Sequence, residues 1–168
     1  MTAYSNSDQR DQAVPYTRNM RDEGPEGEAQ HTSYLARTED TAGQLTLYEV
    51  TIRKGEEPPP HTHTHEDEAF YLLDGAATIH VGEQTFTVSP GSFTWLPRRT
   101  RHSFEIDSAS ARFLIFILPS GLENYFARMA QLLQQEQVRP GHISPEAADK
   151  WQRLSQQFGI TLHLLSMG

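Results

Sequence analysis

Between residues 69 and 118 the chain consists of short β-branched and aromatic runs separated by turn signals, and that rhythm leaves few folds open to it. Runs at 69–73, 76–81, 84–88, 92–96, 102–106 and 112–118 each have strand length. Short strands at such regular intervals read as an antiparallel barrel or sandwich. Asp74-Gly75 and Gly82-Glu83 are the expected tight turns and Pro90-Gly91 a corner, since glycine supplies positive φ and proline presets a bend. Earlier strands are expected over 44–52, where Leu47, Tyr48, Val50 and Ile52 concentrate, and at Tyr34-Leu35. The run 113–118 is apolar on both faces, so one face is expected on the core and the other under the chain's own C-terminal helices or a second copy.

Two helices are expected after the strands. Ser120-Gly121-Leu122-Glu123 has the spacing of a capping box, and Leu122, Tyr125, Phe126, Met129, Leu132 and Leu133 recur with a helical period. Ser144-Pro145 opens a second helix with a cap and an N1 proline, burying Ala148, Trp151, Leu154 and Phe158 before Gly159 ends it. A last strand is expected over 160–165. The 168 residues suit a single core. They divide into a polar arm at 1–30, a β-barrel at 31–120, and the helices with the final strand at 121–168.

The net charge of -8 disfavours nucleic acid and anionic lipid as partners. No cysteine is present, which excludes disulfides and thiol chemistry. Met1 leads into Thr2-Ala3-Tyr4-Ser5, without the basic start and apolar run of a signal peptide, and the longest apolar stretch is too short to cross a bilayer. A cytoplasmic protein with a small-molecule partner is the expectation.

Chemistry concentrates at His61-Thr62-His63. Pro58, Pro59 and Pro60 hold the entering chain extended, so both imidazoles point to one face. Glu68 and the downstream His102 bring the set to three imidazoles and a carboxylate. Nitrogen and oxygen donors without thiolate suit one divalent first-row ion, whether Fe, Mn, Ni, Co or Zn. His65 and Asp67 are alternative members of the set. His80, in mid-strand, reads as a satisfied or solvent-facing histidine, and His31, His142 and His163 have no pattern around them. Tyr48, Phe70, Leu72, Phe86, Phe93, Trp95, Phe104, Ile115 and Ile117 are candidates to line a cavity, with His102, Phe104 and Ile106 sharing its inner side by alternation.

These residues resemble the signatures of the cupin superfamily. The first is a glycine, five residues, His-x-His, three or four residues, Glu, six residues and a glycine, and Gly55, His61, His63, Glu68 and Gly75 match it. Gly91, Pro97 and His102 match the second, with Arg99 in place of its middle glycine and Ile106 in place of its asparagine. The resemblance implies an all-β double-stranded β-helix, a jelly-roll barrel, here followed by two C-terminal helices. It also places the metal on His61, His63, Glu68 and His102.

Within the superfamily, segments 58–61, 66–75 and 96–104 are similar to single-domain cupins of the quercetin 2,3-dioxygenase type. That similarity implies a homodimeric, metal-dependent dioxygenase acting with dioxygen on a flavonol-like or other enolic aromatic substrate, with Glu68 as both ligand and catalytic base. The same four ligands equally serve a metal-assisted isomerase, cyclase or decarboxylase, or a cupin that binds a small molecule without catalysis.

Overall fold

The structure is a computed structural model and describes residues 13–19, 32–139 and 143–164. In chain order the strands are β1 (Thr32–Ala36), β2 (Thr46–Arg53), β3 (His61–His63), β4 (Asp67–Asp74), β5 (Ala77–Val81), β6 (Gln84–Val88), β7 (Phe93–Leu96), β8 (His102–Ile106) and β9 (Ser110–Leu118). Helices α1 (Glu123–Gln135) and α2 (Pro145–Gln157) and the short strand β10 (Ile160–Leu162) follow.

The strands form two five-stranded sheets, ordered β1-β2-β9-β4-β7 and β10-β3-β8-β5-β6. From β2 to β9 the chain changes sheet at every connection except the β5–β6 hairpin. Period-2 alternation turns one face of each strand inward: Tyr48, Val50 and Ile52 from β2, Phe113, Ile115 and Ile117 from β9, and Phe104 and Ile106 from β8 are all buried. The Phe70 ring of β4 lies 5.5 Å from Phe104 in the opposite sheet and 5.6 Å from Phe113, so the two sheets share one core. Each such buried phenylalanine contributes about 1.5–3 kcal/mol relative to exposure.

The expected closed jelly-roll barrel does not form. The first sheet ends at β1 and β7 and the second at β10 and β6, and no ladder joins one sheet to the other among the described residues. The chain passes between sheets through tight turns rather than continuous pairing. Ser92 N donates to Ser89 O at the corner before β7, and Thr100 N donates to Pro97 O after it. β7 has only four residues before Pro97, too few to carry hydrogen bonding round to β6. Four of the five β6 residues are consequently exposed.

Three further expectations are corrected. Phe93 and Trp95 alternate with the buried Thr94 and Leu96 and lie outward, 59% and 46% exposed, while Phe86 at the β6 edge is 40% exposed. None of the three is sealed in a cavity. The capping box at Ser120 is absent: α1 starts at Glu123, its N-cap Leu122 makes no side-chain cap, and the Glu123 carboxylate instead accepts from Thr38 N, Thr38 Oγ1 and Thr46 Oγ1. In α2, Ser144 Oγ accepts from Ala147 N at 3.1 Å as expected, but Ala147 rather than Ala148 is buried.

Of the expected arm, only residues 13–19 are described. There the Tyr16 hydroxyl donates to Leu35 O, and Arg18 pairs with Asp40 at 2.7 Å. The rest of the arm, His31, His142 and the end of the last expected strand lie outside the described residues. No described helix is long and apolar enough to cross a membrane.

Candidate metal centre

The cluster is assembled by register. β3 touches β8 through a single rung, His61 opposite His102, which sets two imidazoles side by side. β10 flanks β3 on its other edge, with Ile160 opposite His63 and Leu162 opposite His61, so the α2–β10 unit braces the histidine strand. Glu68 arrives from the opposite sheet, where it pairs with Ile117 and Leu96 and points inward. One ligand-capable atom from each of His61, His63, Glu68 and His102 lies within 4.8 Å of all the others.

Hydrogen bonding settles which ring nitrogens carry protons. His61 Nδ1 lies 2.9 Å from Pro59 O, and His102 Nδ1 lies 3.1 Å from Thr100 O. A carbonyl only accepts, so both rings donate from Nδ1 and present bare Nε2 lone pairs inward. Those two Nε2 atoms are 3.1 Å apart, and His102 Nε2 is 3.2 Å from Glu68 Oε2. Glu68 Oε2 is itself buried without a hydrogen-bond partner. Converging acceptors repel unless a cation sits among them. A proton serves one pair, whereas a divalent ion serves all four donors. Imidazole nitrogens bind such ions at about 2.0–2.1 Å, which puts neighbouring nitrogens roughly 3 Å apart. The residues fit a divalent metal ion, and the cluster is capable of coordinating one.

The electrostatics agree with that fit. Burial alone would raise Glu68, but the adjacent His102, then His63 and His61, outweigh it and hold its carboxyl down to about 2. Desolvation, then the neighbouring His102 and His63, push His61 down to about 3, so its lone pair stays free of protons at neutral pH. His63 behaves differently. Burial favours its neutral form, yet Glu66 and Glu68 on either side outweigh burial and raise it. Burial, then Glu68 and Tyr34, raise the Tyr48 phenol well above its ordinary value, so it remains a proton donor.

The other candidates lie elsewhere. Asp67 turns away from the cluster and pairs with Arg98 at 2.6 Å, while His65 packs against Gly159. His80 faces the Thr85 hydroxyl, and His163 Nε2 meets Thr62 Oγ1. Glu66 had no sequence expectation attached to it, yet it is buried beside His63. Its signal was present in the spacing of Glu66 and Glu68, which places two carboxylates on one side of an extended chain.

Residues 48–117 match the family described as Cupin domain. Quercetin 2,3-dioxygenase of Bacillus subtilis is 29% identical over 140 residues, 80% of this chain but only 39% of that protein. Among solved structures, KdgF from Halomonas sp. superposes with a TM-score of 0.55 at 18% identity, covering 67% of this chain and 99% of that one. An RmlC-like cupin from Shewanella frigidimarina gives 0.55 at 14% identity, over 67% and 96% of the respective chains. The structural likenesses concern the fold. The segment that matches the Cupin domain family, residues 48–117, contains all four convergent donors.

Proposed function

We propose that this chain is a metal-dependent enzyme that isomerises, cyclises or decarboxylates an oxygen-bearing small molecule without oxidising it. The observation that carries the reading is the convergence of unprotonated donors from His61, His102 and Glu68 beside a buried phenol, Tyr48, kept in its protonated form. His61, His63, Glu68 and His102 would hold the metal, which would polarise a substrate oxygen and lower the pKa of a hydroxyl attached to it. Glu68 would serve as ligand through Oε2, the oxygen facing the imidazoles, leaving its second oxygen as the base that takes the substrate proton. Tyr48 donates a hydrogen bond or a proton to the substrate. The inward side chains of Phe70, Phe104 and Ile115 exclude water and favour a substrate with an apolar body.

A second reading, dioxygenation of an enolic aromatic compound, is favoured by the 29% identity to the Bacillus subtilis quercetin 2,3-dioxygenase. Turnover of a panel of flavonols, 2-keto acids and aldose–ketose pairs, with and without oxygen, separates the two. Equal anaerobic and aerobic rates support the redox-neutral enzyme. Turnover that requires and consumes oxygen overturns it in favour of the dioxygenase, and tight binding of panel compounds with no turnover by any metal form overturns both.

A homodimer is part of the proposal. Phe93 and Trp95 stand exposed on the outer face of the first sheet, across Tyr71 and Ala69 of β4 from the half-buried Leu114 and Phe116, an apolar face of the kind that pairs with a second copy. Light scattering giving the mass of one chain refutes it.

A further inference from the structure

Two buried atoms at the edge of the cluster have no hydrogen-bond partner, and they face each other: His63 Nδ1 and Glu66 Oε2, 3.7 Å apart. His63 is 4% exposed and Glu66 8%, so water offers neither a full substitute. An unpaired buried carboxylate is costly, and a fold that keeps one has to compensate for it. His61 and His102 have their protons fixed on Nδ1 by backbone carbonyls. His63 has no such carbonyl, and the group facing its Nδ1 is the Glu66 carboxylate. The opposite nitrogen, Nε2, lies 3.6 Å from Glu68 Oε2 on the side where the four donors converge.

The backbone around this pair is pinned. Thr64 N donates to Gly159 O at 2.8 Å, Arg99 N donates to His63 O at 2.7 Å, and Arg98 N donates to Asp67 Oδ1 at 2.8 Å. Glu66 therefore hangs from a braced segment, and a side-chain shift of less than about 1 Å brings its oxygen to hydrogen-bond distance from Nδ1.

We propose that Glu66 is a positioning residue for the metal: its carboxylate accepts the His63 Nδ1 proton, aims the Nε2 lone pair at the cluster and makes the ring a stronger donor. A carboxylate behind a ligating imidazole fixes both tautomer and orientation, and its loss weakens metal affinity by about 10–100-fold. The inference rests on the metal-binding reading above, which gives the oriented lone pair something to bind. A purely architectural role predicts the opposite pattern, a lower metal-free midpoint with unchanged metal affinity, whereas neutralising a buried carboxylate that only aims a ligand leaves the fold unharmed or steadier.

The test measures Co(II) affinity of the metal-free full chain by chelator competition, for wild type and Glu66→Gln, together with the thermal midpoint of each metal-free protein. Glu66→Gln is expected to bind Co(II) about 10–100-fold more weakly while its metal-free midpoint is unchanged or higher. Independently of any variant, long-range 1H–15N spectra of the Zn(II)-loaded wild type are expected to show His63 protonated at Nδ1 and bound through Nε2. Equal Co(II) affinity in the two proteins, or a His63 ring bound through Nδ1, overturns the role of Glu66 and leaves the metal reading standing. A wild type that takes up neither ion overturns both.

Discussion

Gly75 ends β4 and begins the crossing to β5 in the opposite sheet, and its replacement by alanine isolates what that crossing requires. Its φ is +89°, where a side chain adds about 1–2 kcal/mol of strain. A Cβ there would also lie 2.8 Å from Ala111 Cα and 2.9 Å from Ser108 Oγ, and would overlap the Ser110 carbonyl oxygen. Two of those three obstacles are β9 backbone, so relief requires a strand to move, at about 1–3 kcal/mol. Reduced freedom of the unfolded chain returns about 0.4–1 kcal/mol. The net loss for Gly75→Ala is about 2–4 kcal/mol, a fall of roughly 5–15 °C in thermal midpoint for a chain of this size. Gly91 provides the control. It has φ +92° but nothing within 4 Å of a built Cβ, so Gly91→Ala carries the strain alone and loses only about 1 kcal/mol. Urea denaturation followed by circular dichroism measures both. Equal losses within about 0.5 kcal/mol refute the steric argument, since the two sites share their backbone strain. Glu68 lies at the far end of β4, so metal uptake by Gly75→Ala should match wild type.

Three further outcomes are expected. Tyr48→Phe removes only the hydroxyl of a buried side chain and keeps its ring packing, so the thermal midpoint should change little while kcat for any panel compound that reacts falls by about 100-fold; an unchanged kcat removes Tyr48 from the mechanism. Burial alone would raise Glu123, but hydrogen bonds from backbone amides, Thr46 and Thr38 outweigh it and lower its pKa. Its contribution is therefore present above the ordinary carboxylate value and lost as pH falls through the folded one. Glu123→Gln should cost about 1 kcal/mol at pH 7, after screening by solvent, with the gap to wild type closing in acid; a gap independent of pH in urea titrations contradicts this. Arg99 holds φ 63° without being glycine, so Arg99→Gly should raise the midpoint by about 1–3 °C, and a fall in calorimetry would show that the side chain stabilises that turn.

The features legible in the sequence were those set by local spacing. His61 and His63 point together because an extended chain repeats every two residues, and the structure brings both to Glu68 and His102. β6 and β8 have the expected bounds because glycine turns and apolar alternation mark them directly. Barrel closure was not legible. It depends on hydrogen bonds between strands distant in sequence, and the edges at β6 and β7 stay apart although each strand alone looks suited to closure. The Ser120 box failed for a related reason: Glu123 is drawn to Thr38 and Thr46, partners about 80 residues away. Phe93 and Trp95 carry core chemistry, but alternation from Leu96 places them outward, and only the register of β7 against β4 reveals it. Glu66 escaped notice because its importance lies in what His63 lacks, a carbonyl behind Nδ1.

The central claim is that His61, His63, Glu68 and His102 hold one divalent ion. Its most direct test is the metal content, by inductively coupled plasma mass spectrometry, of wild type, His61→Ala and His102→Ala purified without added metal. The structure predicts about one ion per wild-type chain and almost none in either variant, with near-ultraviolet circular dichroism unchanged. A metal-free wild type that also refuses added Co(II), Mn(II) and Zn(II), or variants that retain a full ion, would contradict it.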